Sequence, residues 1–498
     1  MTSPFRFHQT LLRGLVAAAS LACLGLGAAG AQESAAQEPS ARESGADQPG
    51  GMATDEMPTR VGVTPEGDFD LAIINATIHS FVEPAYRGYT VLVKDGIIAT
   101  AGNMVNAPPG TPTVDAEGKH LFPGFIQAFS TLGLIEIGSV RGTRDLTETG
   151  DNNADLRAEV AFNADSLRLP PSVRGGVLSA NVYQRGGLFS GTTAVMRLDG
   201  WNWRDMAIRT GAGMVLDFPQ VASGDDGDNE AKDLEVLDDM VDDVRAYAKA
   251  RAAGSPGLAR DPKMEALVPV FENELKLFVI ATGGRNQIVE ALDWVAKHGL
   301  EDVVLVANYE ARYVKERLAK ASIPVILTSV LALPARDWEP YDAVYAAPAA
   351  LHEAGVTFAI AGEGGGFASS NTRNLPFHAA MAAAFGLPRN AAMLSVTQWP
   401  AQILGVEEAP GREEPGTDAT IFLNATDPLE IYTQIERVWI AGREIDLSQD
   451  HQYRLYQKYL NRPRIEVEVE DGAPDSAQDS AGDGARDGGE PGGSGTAR

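Results

Sequence analysis

Cysteine is all but missing from the 498 residues: Cys23 is the only thiol. It lies in an N-terminal segment that reads as a cleaved leader, so the mature chain would hold none. Disulfides, thiolate-zinc sites and cysteine nucleophiles are excluded on that ground. Histidine is also scarce, at seven residues including His8 of the leader. His79 and His120 fall on strands, His298 ends a helix, His352 and His378 sit on apparent helices, and His451 lies beyond the core. None has the HxH or HxxxH spacing that presents two imidazoles to one ion. Beyond the leader there is no GxGxxG or GxxxxGK[ST] phosphate-binding loop, nor a GxSxG nucleophile elbow. Positive charge is in deficit. A formal charge of -27 and a pI near 4.6 repel phosphate backbones and anionic membranes, which excludes nucleic acid as a partner.

The leader spans residues 1–31, with Arg6 and Arg13 ahead of an apolar run from Leu15 to Leu26 and Ala29-Gly30-Ala31 at the cleavage site. The run is too short and too interrupted to cross a bilayer, so no integral membrane segment is expected after cleavage. The expected destination is the periplasm or the extracellular space. Residues 32–66 and the acidic tail 471–498 contain few large apolar residues and cannot offset the entropy of ordering.

Between these ends, Phe69–His79 and Thr90–Ala101 alternate or run apolar, with a turn at Lys94-Asp95-Gly96. They predict hairpin-connected strands that open a small β domain over residues 67–122. From residue 123 to 408 short apolar strands alternate with helical stretches, as in strand Val303–Ala307, helix Ala311–Ala321, strand Val325–Leu327 and strand Val356–Ala361. Repeated βα units imply a parallel sheet, and about 285 residues of them suit a closed (β/α)8 barrel. Strand-like runs return at Ala419–Leu423 and Ile435–Ile440, so residues 409–447 are expected to rejoin the N-terminal strands in a composite β-sandwich. Residues 448–470 extend beyond it. The expected class is α/β, a TIM-like barrel with a small composite domain.

Several segments resemble a known family. Val114 to Ile126 (VDAEGKHLFPGFI) is similar to the strand entering the barrel of the amidohydrolase superfamily, in particular its imidazolonepropionase-like members. Leu132-Gly133-Leu134 with Arg141 to Asp145, Gly186 to Gly191, and Leu198 to Trp201 resemble an exported subgroup, and Thr397 to Gly405 (TQWPAQILG) its closing helix. The resemblance covers about Asp68 to Leu447. It implies a hydrolase of non-peptide carbon–nitrogen bonds that uses one or two divalent ions, usually zinc, at the C-terminal mouth of the barrel.

The ligand positions implied by the resemblance are altered. Where the family has Asp-x-His-x-His, this chain has Gln127, Phe129 and Thr131; Ala281 stands where the next strand would bring a histidine. Asn308 or Ala307 stands at a further, variable ligand position, and Glu363 replaces the metal-binding, proton-shuttling aspartate. A catalytic zinc normally takes about three protein ligands, so no metal cofactor is expected. Glu363 is the candidate catalytic residue. Arg141, Arg144 and Asp145, on the loop after the first barrel strand, and Asn308 are the candidate ligand-binding residues. The expected activity is that of a pseudoenzyme binding a small amide-type molecule or supporting a partner, whether a second copy or an active relative. The alternative is an exported amidohydrolase working on cyclic amides or dipeptide-like substrates through Glu363, with zinc or another divalent metal in an atypical site, or with none.

Overall fold

The computed structural model describes residues 63–79, 85–220, 227–362, 368–406 and 415–463. The leader, nearly all of segment 32–66, Glu363 and the acidic tail lie outside the described residues. All described residues belong to one compact unit.

The chain opens with β1 (Leu71–Ile78), β2 (Tyr86–Lys94) and β3 (Ile97–Gly102), then β4 (Thr113–Asp115) and β5 (His120–Pro123). A two-residue turn joins β2 to β3. Asp95 and Gly96 both have positive φ, 52° and 77°, the geometry whose twist matches that of the flanking strands. Near the C-terminus come β14 (Ile421–Asn424), β15 (Arg437–Ile440) and β16 (Arg443–Glu444). The order β16-β15-β14-β5-β1-β2-β3, with β4 also on β1, makes one continuous eight-stranded sheet. Its core takes residues from both parts of the chain, among them Ile73, Val91, Leu121, Ile421 and Trp439. The composite arrangement expected from sequence is present; its strands belong to a single sheet.

The second sheet runs β13-β12-β11-β10-β9-β8-β7-β6. Its members are β6 (Phe125–Ser130), β7 (Val177–Val182), β8 (Phe189–Arg197), β9 (Ala207–Asp217), β10 (Leu277–Ala281), β11 (Val303–Ala307), β12 (Val325–Leu327) and β13 (Phe358–Ile360). The sheet is nearly closed. At the gap, Val396 O accepts from the Ile126 N–H and Ser395 O accepts from the Ile360 N–H, so one segment fastens both edges. Higher up, the Gly362 N–H donates to Gln127 Oε1 at 3.2 Å. The parallel pairing expected from sequence holds from β9 to β13 and between β6 and β7. It fails at β8, which is antiparallel to both neighbours. The reason is local: β7 and β8 are joined by a short hairpin through Gly186 and Gly187, with no crossover helix to reverse the chain.

Alternation along the strands sorts the apolar residues. Phe278, Val304, Val306, Ile326 and Ala359 share an inner cluster with Ile126, Ala128 and Val215, whereas Leu277, Val279, Leu305, Leu327 and Phe358 join the outer core against the helices. The interior is therefore filled with side chains, as barrels of this size are.

Candidate ligand site at the barrel mouth

The C-terminal ends of β6, β7 and β10 to β12 converge on a cavity of about 320 Å³, a volume at the lower end of small-molecule sites. Phe129, Ile280, Val306, Leu333 and Val344 supply apolar wall; Arg185, Thr282, Asn308, Thr328 and Ser329 supply polar groups.

At its floor the Phe129 ring lies face to face with Tyr183, ring centres 3.7 Å apart and 18° from parallel, and within 5.9 Å of Phe278. Phe129 and Tyr183 are each 2% exposed. A bulge in the β6–β7 pairing between Gln127 and Ser130 turns Phe129 toward the interior beside Ala128. Thr131 is fully buried, and its Oγ1 has no hydrogen-bond partner among the described residues.

Tyr183 and Arg185 sit on the β7–β8 hairpin. The Tyr183 hydroxyl accepts from Arg185 Nη2 at 2.9 Å and Nε at 3.2 Å. Burial raises the Tyr183 pKa, with Arg185 opposing, so the phenol stays neutral. Asp217 ends β9 on the same face as Val215. The protein packed around its carboxyl raises its pKa and Arg185 pulls it back down, although the residue's surface reaches solvent.

The loop after β6 braces this hairpin. Leu146 O accepts from the Arg185 N–H at 2.7 Å, and Asp145 O accepts from Gln184 Nε2 at 3.0 Å. A Cβ on Gly186 would sit 2.6 Å from Glu148 O, so only glycine lets the two loops approach this closely.

The residues singled out from sequence are divided by the structure. Asn308 lines the cavity; its Nδ2 donates to Thr282 O at 2.9 Å and its Oδ1 accepts from the Glu310 N–H at 3.0 Å. Arg141, Arg144 and Asp145 are exposed on the bracing loop and do not line the cavity. No ion pair joins them among the described residues. Ala281 and Ala307 face the helices, and the cavity-facing residues of their strands are Ile280, Thr282 and Val306. Ser190 is buried within β8.

Sequence reasoning missed Tyr183, Arg185 and Asp217, which become neighbours only through the hairpin and the reversed strand. It also missed a contact in the small sheet. Parallel pairing of β1 with β5 brings His79 Nε2 to 2.6 Å from His120 Nδ1. Burial, then the His120 ring, lowers the His79 pKa to about 4, with Asp427 opposing.

A chain 24% identical, an amidohydrolase from Thermotoga maritima MSB8, superposes with a TM-score of 0.66 over 76% of this chain and 99% of its own. The fold is that of the amidohydrolase superfamily. Sequence similarity agrees: an amidohydrolase of Hapsidospora irregularis, tasK, is 25% identical over 402 residues, 71% of this chain and 39% of the relative. The chain thus spans about two fifths of that relative's length. No protein-family model matches.

In this fold the implied zinc would lie at the mouth. The described residues there do not fit it: Phe129 has no lone pair to offer, Thr131 has a neutral hydroxyl, and Ile280 and Thr282 flank the position of Ala281. No group of three or more His, Cys, Asp or Glu among the described residues could hold a metal ion.

Proposed function

We propose that this amidohydrolase scaffold binds a small amide-type molecule at the barrel mouth and has given up conventional metal-dependent hydrolysis. The observation that carries this reading is the Phe129–Tyr183 stack, which occupies the floor where the superfamily's paired histidines would present an ion. An aromatic pair supplies contact area and excludes water, but neither polarises a carbonyl nor activates a nucleophile. The cavity above it keeps the apolar walls and few polar groups of a small-molecule site. The leader at residues 1–31 makes it an exported protein on this reading, acting alone, as an oligomer or beside an active relative.

The test combines metal analysis with turnover. Purified mature protein is expected to retain well under one equivalent of zinc, iron or manganese after dialysis, and to hydrolyse neither cyclic amides nor dipeptide-like amides. Stoichiometric metal, or turnover abolished by Glu363→Gln, would establish the rival reading, a working hydrolase using that carboxylate.

A further inference from the structure

We propose that a second cavity, beside the barrel mouth, binds a neutral saccharide ring on the exposed indole of Trp338. This cavity has a volume of about 370 Å³ and shares no lining residue with the first, so the inference stands apart from the amide-binding reading. Arg285, Asn286, Glu310, Tyr313, Arg336 and Trp338 form most of its wall. Its apolar surface is aromatic, from Tyr313 and Trp338; the rest is glycine or polar. A ligand there needs one flat apolar face and an edge that is polar throughout, which excludes an aryl or alkyl body.

The charges select a neutral molecule. Arg336 forks onto both oxygens of the buried Glu310, at 3.1 and 3.3 Å, and Glu310 Oε2 also accepts from the Arg285 N–H at 2.9 Å. An anion would find its place already filled by that carboxylate, and a cation would meet the guanidinium groups of Arg285 and Arg336. A neutral ligand escapes both penalties. The side chains of Arg285 and Asn286 are exposed and have no hydrogen-bond or ion-pair partner among the described residues, so they are free to bond its hydroxyls. Trp338 is 75% exposed, yet the loop that carries it is pinned on both sides. Arg336 is held by Glu310, and Glu339 accepts from the Tyr309 and Tyr313 hydroxyls and the Arg336 N–H. The Arg336 guanidinium stands 5.7 Å from the centre of the indole. An open ring on a fixed loop attracts polarised C–H groups to its electron-rich face, and little freedom is lost when it is covered. A pyranose offers that face in its axial C–H bonds, with hydroxyls around the whole edge.

Titrations followed through the tryptophan indole N–H signals in nuclear magnetic resonance test this on the full chain. The neutral probes are methyl β-glucoside, methyl β-galactoside, methyl α-mannoside and N-acetylglucosamine; the controls are sorbitol, glucuronate and protonated glucosamine. At least one neutral ring is expected to bind at millimolar concentration and to shift the Trp338 signal, which is identified by its loss in Trp338→Phe. Sorbitol, with the hydroxyls but no ring, and the two charged sugars should bind at least tenfold more weakly. Trp338→Ala should weaken binding of the neutral ring at least tenfold without moving the unfolding midpoint, because the side chain it removes is exposed. Asn286→Ala should weaken it several-fold. Absence of binding by all four neutral rings at tens of millimolar overturns the proposal. So does sorbitol or glucuronate binding as tightly as the best ring, or undiminished binding to Trp338→Ala.

Discussion

At the scale of single residues, the mouth replaces donors with contact surface. Phe129 packs on Tyr183 and Phe278 at the centre of the barrel, so Phe129→Ala should lower unfolding free energy by about 3–5 kcal/mol, the cost of deleting a buried phenyl ring and leaving a cavity. Denaturant midpoints at constant slope would measure it. A loss under about 1 kcal/mol would mean that the barrel interior collapses around the gap. Sequence reading reached the altered positions at Phe129 and Thr131 through the resemblance of the segment Val114 to Ile126 just before them, which sets their register along the chain. It did not reach Arg185 or Asp217. Their relation is fixed by which strands are neighbours and which way β8 runs, and neither is written in any local pattern.

At the scale of elements, the loop between β12 and the helix Ala347–Glu353 roofs the cavity with Ala332 and Leu333. Leu333 and Trp338 on this loop are 80% and 75% exposed. Two buried carboxylates hold the loop, Glu310 through Arg336 at 3.1 and 3.3 Å and Glu339 through three donors. Glu339 accepts from the Tyr309 hydroxyl at 2.6 Å, the Tyr313 hydroxyl at 3.0 Å and the Arg336 N–H at 3.2 Å. Glu339→Ala should strand those donors, costing about 1–3 kcal/mol locally, and should speed tryptic cleavage at Arg336. Unchanged cleavage would show that another contact holds the loop. Beneath it, His378 Nδ1 accepts from the Val330 N–H at 3.3 Å, and burial lowers the His378 pKa to about 4 from an ordinary 6.5. The folded state therefore resists protonation that the unfolded chain accepts. This contribution to stability is complete above pH 6.5 and is lost as pH falls toward 4. His378→Asn, which can keep the acceptor, should flatten the stability profile across that window by up to one proton. A profile identical to that of the native protein would locate the acid sensitivity elsewhere, His79 being the next group to replace.

At the scale of the whole molecule, repeated apolar strands and helices made the barrel legible, and the return of strand-like runs near residue 420 made the shared second sheet legible. The reversed β8 was not. Its segment from Phe189 to Met196 (FSGTTAVM) would suit a strand of either direction, and only the length of the connection at Gly186-Gly187 decides. The gap between β6 and β13 was equally hidden, because it is spanned by a turn at Ser395–Val396 rather than by a strand. Hydrogen exchange is expected to find the Ile126 and Ile360 amides less protected than the Val304 and Val306 amides inside the parallel ladder. Equal protection would mean that the seam opens only with the entire barrel.

The shared sheet also sets the order of events in assembly. β5 finds its antiparallel partner β14 only after on the order of 300 further residues have been added. Until then the face of β5 that meets β14 is an uncovered edge, open to other strands. Early synthesis thus yields a half-finished sheet, completed only when β14 to β16 emerge.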